Sequence, residues 1–407
     1  MNFQSDICII GNGAIGKAAA LGFAQTGASV TLISAQPAPD ATTKSRFSKD
    51  ASQQNSWDTR VYALNHLARA LLNRLKVWDA LDAPRIAPIE EMMVKSDDAK
   101  YPSKLSFDAY SARETALAWI VEDSNLTQAL DAALNFAPNI QRVHATAQST
   151  LADDAGITIQ IGNGGQIRAA LLVGADGAQS WVRSQAAIDL DYRPYGQHAL
   201  VANFSTTLPH HGVAYQWFIA GQGIVALLPL PGNRVSLVWS APDSLADQLA
   251  SESATDLAAR LNVLSEAILG ELAALAPGPV KAIPLSMIRP HAITAPRTAL
   301  VGDAAHVIHP LAGQGMNLGF GDVDALLRIV TGRHAHQDCG DARILSGYAR
   351  ERKEKILLAH LATDGLQRLF AADIEPLRIA RNIGLNLVNR VPVIKRLLIG
   401  HALGNRI

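Results

Sequence analysis

The sequence predicts an α/β protein. It should have a discontinuous, Rossmann-like dinucleotide-binding domain, an inserted domain built on a mainly antiparallel β-sheet, and C-terminal helices. Three observations predict this. A continuous apolar strand, Ile7-Cys8-Ile9-Ile10, runs into Gly11-Asn12-Gly13-Ala14-Ile15-Gly16 and then an Ala-rich helix. Strand-to-glycine turns recur at Gly174-Ala175-Asp176-Gly177 and at Gly302-Asp303. A strand-rich stretch separates those two turns, so it is an insertion if all three turns serve one ligand. Length agrees, because 407 residues exceed the roughly 250–300 that one core supports.

The expected division places residues 1–88, 110–185 and 286–340 in the nucleotide domain. Residues 89–109 and 186–285 form the inserted sheet domain, and 341–407 a helical C-terminal region. Lys+Arg and Asp+Glu are both 36, charged residues are 18% and hydrophobic residues 48%. Disorder is excluded, since it needs low hydrophobicity and high net charge. No basic excess exists to draw the chain to nucleic acid. Two cysteines, Cys8 and Cys339, give no disulfide framework, and a reducing cytoplasm is the expected compartment. Cys8 lies in an apolar run and reads as core. Cys339 neighbours His334, His336 and Asp338, but that polar loop lacks the well-spaced ligand set of a structural zinc, and no metal is expected.

Each element follows from local pattern. The first strand has the unbroken apolar run of a parallel sheet buried on both faces. A helix over Ile15–Thr26 stops at Gly27, and Val30–Ile33 is the second strand. The start leaves no room for a signal peptide before that first strand. Residues 35–57 are polar and read as a long loop. Apolar residues recur at helical spacing from Leu64 to Leu81. Residues 89–108 read as two strands joined at Asp97-Asp98, Glu122–Asn135 as a helix, and Leu151–Leu172 as a hairpin about Gly162–Gly165. Residues 195–240 are mainly strand, Ala254–Leu275 mainly helix, and Pro296–Val301 lead into a strand. Helices are expected after Gly340. The uncharged stretch Pro194–Asn233 is broken by prolines and glycines. It reads as buried or pocket-lining strands rather than as a membrane helix, which needs about 20 predominantly apolar residues.

The motifs carry the chemistry. Gly11 permits a tight turn, Gly13 lets the backbone approach a pyrophosphate, and Gly16 lets helix and sheet pack closely. The helix beginning near Ala14 offers free N–H groups and a partial positive charge. An acidic residue normally ends the second strand to hold a ribose; Ser34 stands there, and its hydrogen bond lacks charge assistance. In Asp58-Thr59-Arg60-Val61-Tyr62-Ala63-Leu64, Asp58 can cap a following helix and Arg60 can present its fork to phosphate or remain a surface residue. Asp176 places a carboxylate at a sheet edge or merely forms an Asp-Gly turn. Asp303 closes a strand and can accept hydrogen bonds from a polyol. Gly313-Gln314-Gly315-Met316-Asn317 opens a helix whose N-terminus favours negative charge. His306 and His309 have no third metal ligand nearby in the sequence.

Together these motifs resemble the FAD-dependent aromatic hydroxylases of the para-hydroxybenzoate hydroxylase fold. More narrowly, the chain resembles the ubiquinone-biosynthesis hydroxylases. That match rests on Asp58-x-Arg60-Val61-x-Ala63-Leu64, on Val121-Glu122-Asp123 through Gln128-Ala129-Leu130, and on His309-Pro310-Leu311-Ala312-Gly313-Gln314-Gly315-Met316-Asn317-Leu318-Gly319. Coverage is essentially full length. The resemblance implies FAD as cofactor and NAD(P)H as a transient reductant, with dioxygen hydroxylating an electron-rich phenol. It implies that Gly11, Gly13, Ala14 and Gly16 meet the pyrophosphate, with Ser34 at the ribose. Arg60 and Gln128 would contact the phosphate and ribityl region. Asp176 would lie near the cofactor and NAD(P)H, and Gly302-Asp303 at the ribityl chain. Pro310 would sit beside the flavin ring, and residues 313–317 would cradle its edge. No side-chain acid or base is identified.

A polyprenylated phenol is the implied substrate, and Tyr215 and Trp217, alternating on one strand, are candidates for its pocket wall. From Pro376 to Ile407 the six charged residues are all basic. This segment fits either a docked helix or a surface for anionic lipid or a complex, so a cytoplasmic protein with peripheral contact at the inner face of the membrane is one expectation. Three alternatives stay open: a hydroxylase of a soluble aromatic, a flavin-fold scaffold subunit, and a flavin reductase of isoprenoid double bonds.

Overall fold

A computed structural model describes residues 2–35, 57–96, 104–162, 164–266, 268–276, 280–334 and 336–371. Most of the polar 35–57 stretch, the Asp97-Asp98 link and the basic 376–407 segment lie outside those residues.

The first sheet has eight strands. Its central path runs Thr294–Ala295, Thr298–Leu300, Gly165–Gly174, Asn2–Ile10, Val30–Ser34, Ile140–His144. The pairings from Thr298–Leu300 across to Ile140–His144 are all parallel. Ala147–Asp153 and Gly156–Ile161 add an antiparallel edge on Gly165–Gly174. The helix Ala14–Gln25 follows the first strand, and Val30–Ser34 is buried at every position. Ile7, Cys8 and Ile9 are at most 1% exposed, so Cys8 is core, as expected.

Two glycines are obligatory in this layer. Gly11 has φ +122°, and a Cβ there would lie 2.1 Å from the Ala175 carbonyl oxygen. A Cβ on Gly16 would lie 1.9 Å from the Gly11 oxygen. Only a hydrogen at both sites lets the first turn, its helix and the Gly174–Gly177 turn share one point in space.

The second sheet has eight strands and, with one exception, antiparallel pairing. Its path runs Leu272–Ala274, Leu190–Thr206, Arg234–Pro242, Gly223–Leu230, Val213–Ile219, Glu91–Ser96, Lys104–Asp108, with Lys281–Pro290 also on Leu190–Thr206. Val213–Ile219 and Glu91–Ser96 pair in parallel. Lys281–Pro290 continues this sheet, so the expected 285/286 boundary falls inside one strand. Three strands, Val61–Leu64, Ala118–Glu122 and Ala87–Ile89, form a third small sheet.

Alternation gives the second sheet two unlike faces. One face carries Tyr215, Trp217, Leu227, Leu237 and Trp239, packed with Leu249, Leu257 and Leu261 of the helices Asp243–Ser251 and Ala254–Leu264. The other face carries Ala214, Phe218, Ile224 and Leu230, packed against Ile120, Ala63 and Leu311 of the nucleotide half. Burial on both faces accounts for the uncharged strands within 194–233, where a charge on either side would be desolvated; the exposed turns at 207–209 and 220–222 lack charge without that constraint.

Two expected helices are shorter than their apolar spacing suggests. The first covers His66–Arg74, stops at Lys76 with φ +61°, and is followed by a short 3₁₀ turn at Trp78–Ala80. The second ends at Leu264; Leu272–Ala274 is instead a strand paired with Phe204–Thr206. Gly270 at φ +67° turns the chain there. A short apolar run fits a helix or a strand equally well, and an open sheet edge decided this one. The last described helix spans Ala342–Ala371. Among the described residues no helix is long and apolar enough to cross a membrane.

Candidate active site

A cleft of about 820 Å³ opens where the parallel strands end, within the usual range for small-molecule sites of about 300–1,000 Å³. The turn after Ile10 forms its floor. Ser34 lies at one end with Ala145–Ala147, and Asp303, Gly315 and Met316 at the other. Two helix N-termini face it, those of Ala14–Gln25 and Gln314–Thr331, and neither has an acidic residue in its first turn. Their uncompensated N–H groups make the cleft attractive to anions. A Cβ at Gly13, Gly177 or Gly315 would meet no protein atom within 4 Å, so backbone lies bare along the cleft.

Of the residues singled out in the sequence, Gly11, Gly13, Ala14, Ser34, Arg60, Asp176, Gly302, Asp303, Gly315 and Met316 line the cleft together. Gly16 lies just behind it, packed on Gly11. Gln128 is not a lining residue, although its neighbour Thr127 is. Pro310 precedes the Leu311–Gly313 turn, and Gly313 adopts φ +63° directly before the helix that starts at Gln314. None of these three lines the cleft among the described residues. Asn317 is a stitch: its Nδ2 donates to the Ala63 oxygen (2.8 Å) and its Oδ1 accepts from the Asn65 amide (2.9 Å). Tyr215 and Trp217 lie elsewhere, stacked at 5.7 Å in the core on the far face of the second sheet. The sequence showed that they alternate, but not which way they face.

Tyr62, Asp123, Thr127, Gln179 and Trp181 line the cleft without having been singled out. Asp123 stood within a motif that the resemblance used, whereas Tyr62 occupied an unspecified position of the Asp58–Leu64 motif. The Tyr62 hydroxyl donates to Asp123 at 2.8 Å, and burial holds its pKa far above the ordinary value. Arg60 lies 5.5 Å from the Tyr62 ring centre.

The motif carboxylates are positioned by their neighbours. Asp176 accepts from Ser180 Oγ (2.5 Å) and the Val182 amide (3.0 Å), so it holds the short Trp181–Gln185 helix while facing the cleft. Arg183 ties that helix to the third motif, donating to the Ala304 and Ala178 oxygens. Asp58 does not cap the next helix; Asn65 does. Asp58 instead accepts from the Arg60 and Ser124 amides, because the chain after it forms the strand Val61–Leu64. Glu122, wholly buried, accepts from Arg85 at 2.6 and 2.8 Å and from the Asp58 amide at 2.6 Å. Asp322, also wholly buried, accepts from the Gly302 amide (2.9 Å), pairs with His306 (2.6 Å) and accepts from Arg352 (2.7 Å). Burial alone would raise its pKa, but His306 and Arg352 hold it below the usual value. This knot fixes the turn that aims Asp303. Asp303 is exposed in the cleft, but the protein around it desolvates its carboxyl and raises its pKa, against the pull of His306 and Arg60.

Beside this turn, His309 pairs with Gln197 at 3.0 Å and lies edge-on to Tyr195 at 5.0 Å. Burial lowers its pKa to about 4, so its ring is neutral at pH 7. Among the described residues no group of three or more His, Cys, Asp or Glu side chains is placed to hold a metal.

This geometry defines a nucleotide-binding α/β flavoprotein fold. Residues 104–370 match the family model described as FAD binding domain. The chain is 34% identical to the 3-demethoxyubiquinol 3-hydroxylase of Escherichia coli over 99% of each chain. It is 33% identical to the ubiquinone hydroxylase UbiL of Rhodospirillum rubrum, over 98% of this chain and 90% of that one. Among solved structures, PqsL of Pseudomonas aeruginosa has a TM-score of 0.75 at 22% identity, over 90% of this chain and 97% of that one. The chain belongs to the ubiquinone-hydroxylase family of FAD-dependent monooxygenases.

The residues present fit FAD. The bare glycine backbone and two helix N-termini suit the pyrophosphate, and the carboxyl of Asp303, exposed in the cleft, suits the ribityl hydroxyls.

Proposed function

We propose that the protein hydroxylates the aromatic ring of a polyprenylated phenol in ubiquinone biosynthesis, using FAD, NAD(P)H and dioxygen. One oxygen atom enters the ring, the other leaves as water, and two electrons come from NAD(P)H. Bound FAD supplies the oxygen-activating redox chemistry. The chain's own residues bind, orient and shield. Gly11, Gly13, Ala14 and Gly16 take the pyrophosphate, Ser34 the adenosine ribose, Arg60 a phosphate and Asp303 the ribityl chain, with Gln128 nearby. Gly302 gives Asp303 its position. Pro310 and the Gly313–Asn317 segment border the ring, and Asp176 lies where NAD(P)H docks. The first and third sheets together constitute the cofactor domain, and the second sheet with its helices the substrate domain.

The observation that carries the substrate class is the second sheet's inner face. Residues 197–203, 214–218, 224–228 and 236–240 contain no charged side chain, and that face lies against the Leu311 turn through Phe218 and Ile224. An uncharged wall suits a prenyl tail and not a carboxylated aromatic. The test is incorporation of label from ¹⁸O₂. With NAD(P)H and holoenzyme, a prenylated phenol should gain one labelled oxygen and a small soluble phenol little or none. Equal labelling of both would support a hydroxylase of soluble aromatics, and no labelling with no NAD(P)H oxidation would support a scaffold.

The basic segment 376–407 supports peripheral association with anionic lipid. A chain ending near residue 375 should keep FAD and lose binding to anionic vesicles; unchanged vesicle binding would refute this role.

A further inference from the structure

On the inner face of the second sheet, one side chain is out of keeping with its surroundings. Gln216 sits at the middle of the strand Val213–Ile219. Alternation puts it on the same face as Ala214 and Phe218. Ala214 packs with Ala63 and Ile120, and Phe218 packs with Leu311, so both neighbours close onto the cofactor half. Gln216 lies between these two contacts. Its cross-strand neighbours are Ala226 and Val94, neither of which can hydrogen-bond through its side chain.

The residue is 5% exposed, and its amide has no hydrogen-bond partner among the described residues. Because the amide is not sealed, it escapes the full burial penalty and keeps its hydrogen-bonding capacity free on an otherwise largely apolar stretch of sheet. Gln197, farther along this sheet, pairs its Oε1 with His309 Nε2 at 3.0 Å. Ser236 Oγ is unpartnered but fully sealed, whereas the Gln216 amide is not. Ala226 and Val238, the next positions across the sheet from Gln216, are only half-buried, while Phe218, Ile224, Ser236 and Ser240 around them are buried. With Val94 and Val201, also half-buried, Ala226 and Val238 form a more open row across the sheet that contains Gln216.

We propose that Gln216 hydrogen-bonds a ring oxygen of the prenylated phenol and sets the ring's orientation under this face. The inference rests on the function proposed above and names the residue that reads the substrate's polar end. The amide can both donate and accept, so it suits a phenol hydroxyl or an adjacent methoxy oxygen. The bare Ala226 and Val238 surface accommodates the apolar remainder.

The test uses FAD-loaded protein and two probes of equal tail length, a 2-methoxy-6-prenylphenol and a prenylbenzene without ring oxygen. Binding is read from the perturbation of the oxidised flavin spectrum, and KM and kcat from NAD(P)H oxidation. Q216M keeps the length of the side chain and removes the amide. The expected result is about tenfold weaker binding of the phenol, the loss of one hydrogen bond, with prenylbenzene binding and FAD content unchanged. KM should rise more than kcat falls, and Q216N should not restore affinity because its amide is one methylene short. Equal weakening of both probes, or no weakening of either, would overturn the assignment. If wild-type protein binds both probes alike, the substrate reading itself falls, which is a different outcome. If Q216M loses FAD, Q216L is read in the same way, and loss of FAD in both variants makes the residue structural and refutes the proposal.

Discussion

Replacing His360 with leucine should make the protein more resistant to acid. His360 lies in the last described helix, 4% exposed, with neither ring nitrogen partnered among the described residues. Burial, and then the nearby His306, lower its pKa to about 4, with Arg289 and Arg193 adding to the effect and Asp364 opposing it. An unfolded histidine titrates near 6.5. Above that pH neither state binds the proton and His360 contributes no pH dependence. As pH falls below 6.5 the unfolded chain takes up a proton that the folded ring refuses, so stability is lost at about 1.4 kcal/mol per pH unit until about pH 4. At pH 5 the loss is about 2 kcal/mol. The H360L variant cannot take up this proton. Its stability relative to wild type should therefore improve by about 2 kcal/mol between pH 8 and pH 5, whatever the offset at pH 8. Urea unfolding at fixed excess FAD, followed by tryptophan fluorescence at the two pH values, measures this. His309, lowered for the same reason, continues to contribute in both proteins and cancels. The same offset at both pH values would refute the argument.

Other outcomes follow from single positions. Ser34→Glu should tighten FAD binding by about tenfold, because a charged acceptor replaces a hydroxyl at the ribose end; a flavin-fluorescence titration with an unchanged Kd would show that this position is irrelevant. Gly11→Ala should give no stable flavoprotein, since its Cβ overlaps the Ala175 carbonyl, whereas Gly13→Ala should melt within a few degrees of wild type and bind FAD weakly. Recovery of normal FAD content in Gly11→Ala would contradict the packing described here. Glu122→Ala should cost about 3–5 kcal/mol, because it strands the Arg85 guanidinium beside a buried site. Urea unfolding reads this cost, and a loss under 1 kcal/mol would mean that the pair carries little.

Much of the site was legible because glycine motifs act locally. Gly11 and Gly16 are required by a turn within six residues and Gly13 leaves its backbone bare, so their spacing alone points to the first βαβ unit. The recurrence at Gly174–Gly177 and Gly302-Asp303 located the other strand ends around the same cleft. Less legible were residues whose role depends on distant partners. Asp58 read as a helix cap, yet its carboxylate accepts from Ser124, 66 residues away. Arg183, six residues beyond Gly177, gains its role only where its guanidinium meets the Ala304 carbonyl, 121 residues away.

The sequence by itself determined the α/β class, the interrupted nucleotide half, the flavin family and the low charge of the inserted strands. The class, the interruption and the low charge depend on composition, on period-two patterning and on turns that close within a few residues, whereas the flavin family rests on the resemblance of the motifs to known hydroxylases. Only the tertiary structure decided which face of Val213–Ile219 looks toward the cofactor half. Tyr215 and Trp217 were the more conspicuous residues, but they face the helices, and Gln216 between them shares the face that packs on the cofactor half. Alternation places neighbours on opposite faces without naming either face. That choice is made by what packs on each side, here Leu257 and Leu261 on one and Leu311 on the other.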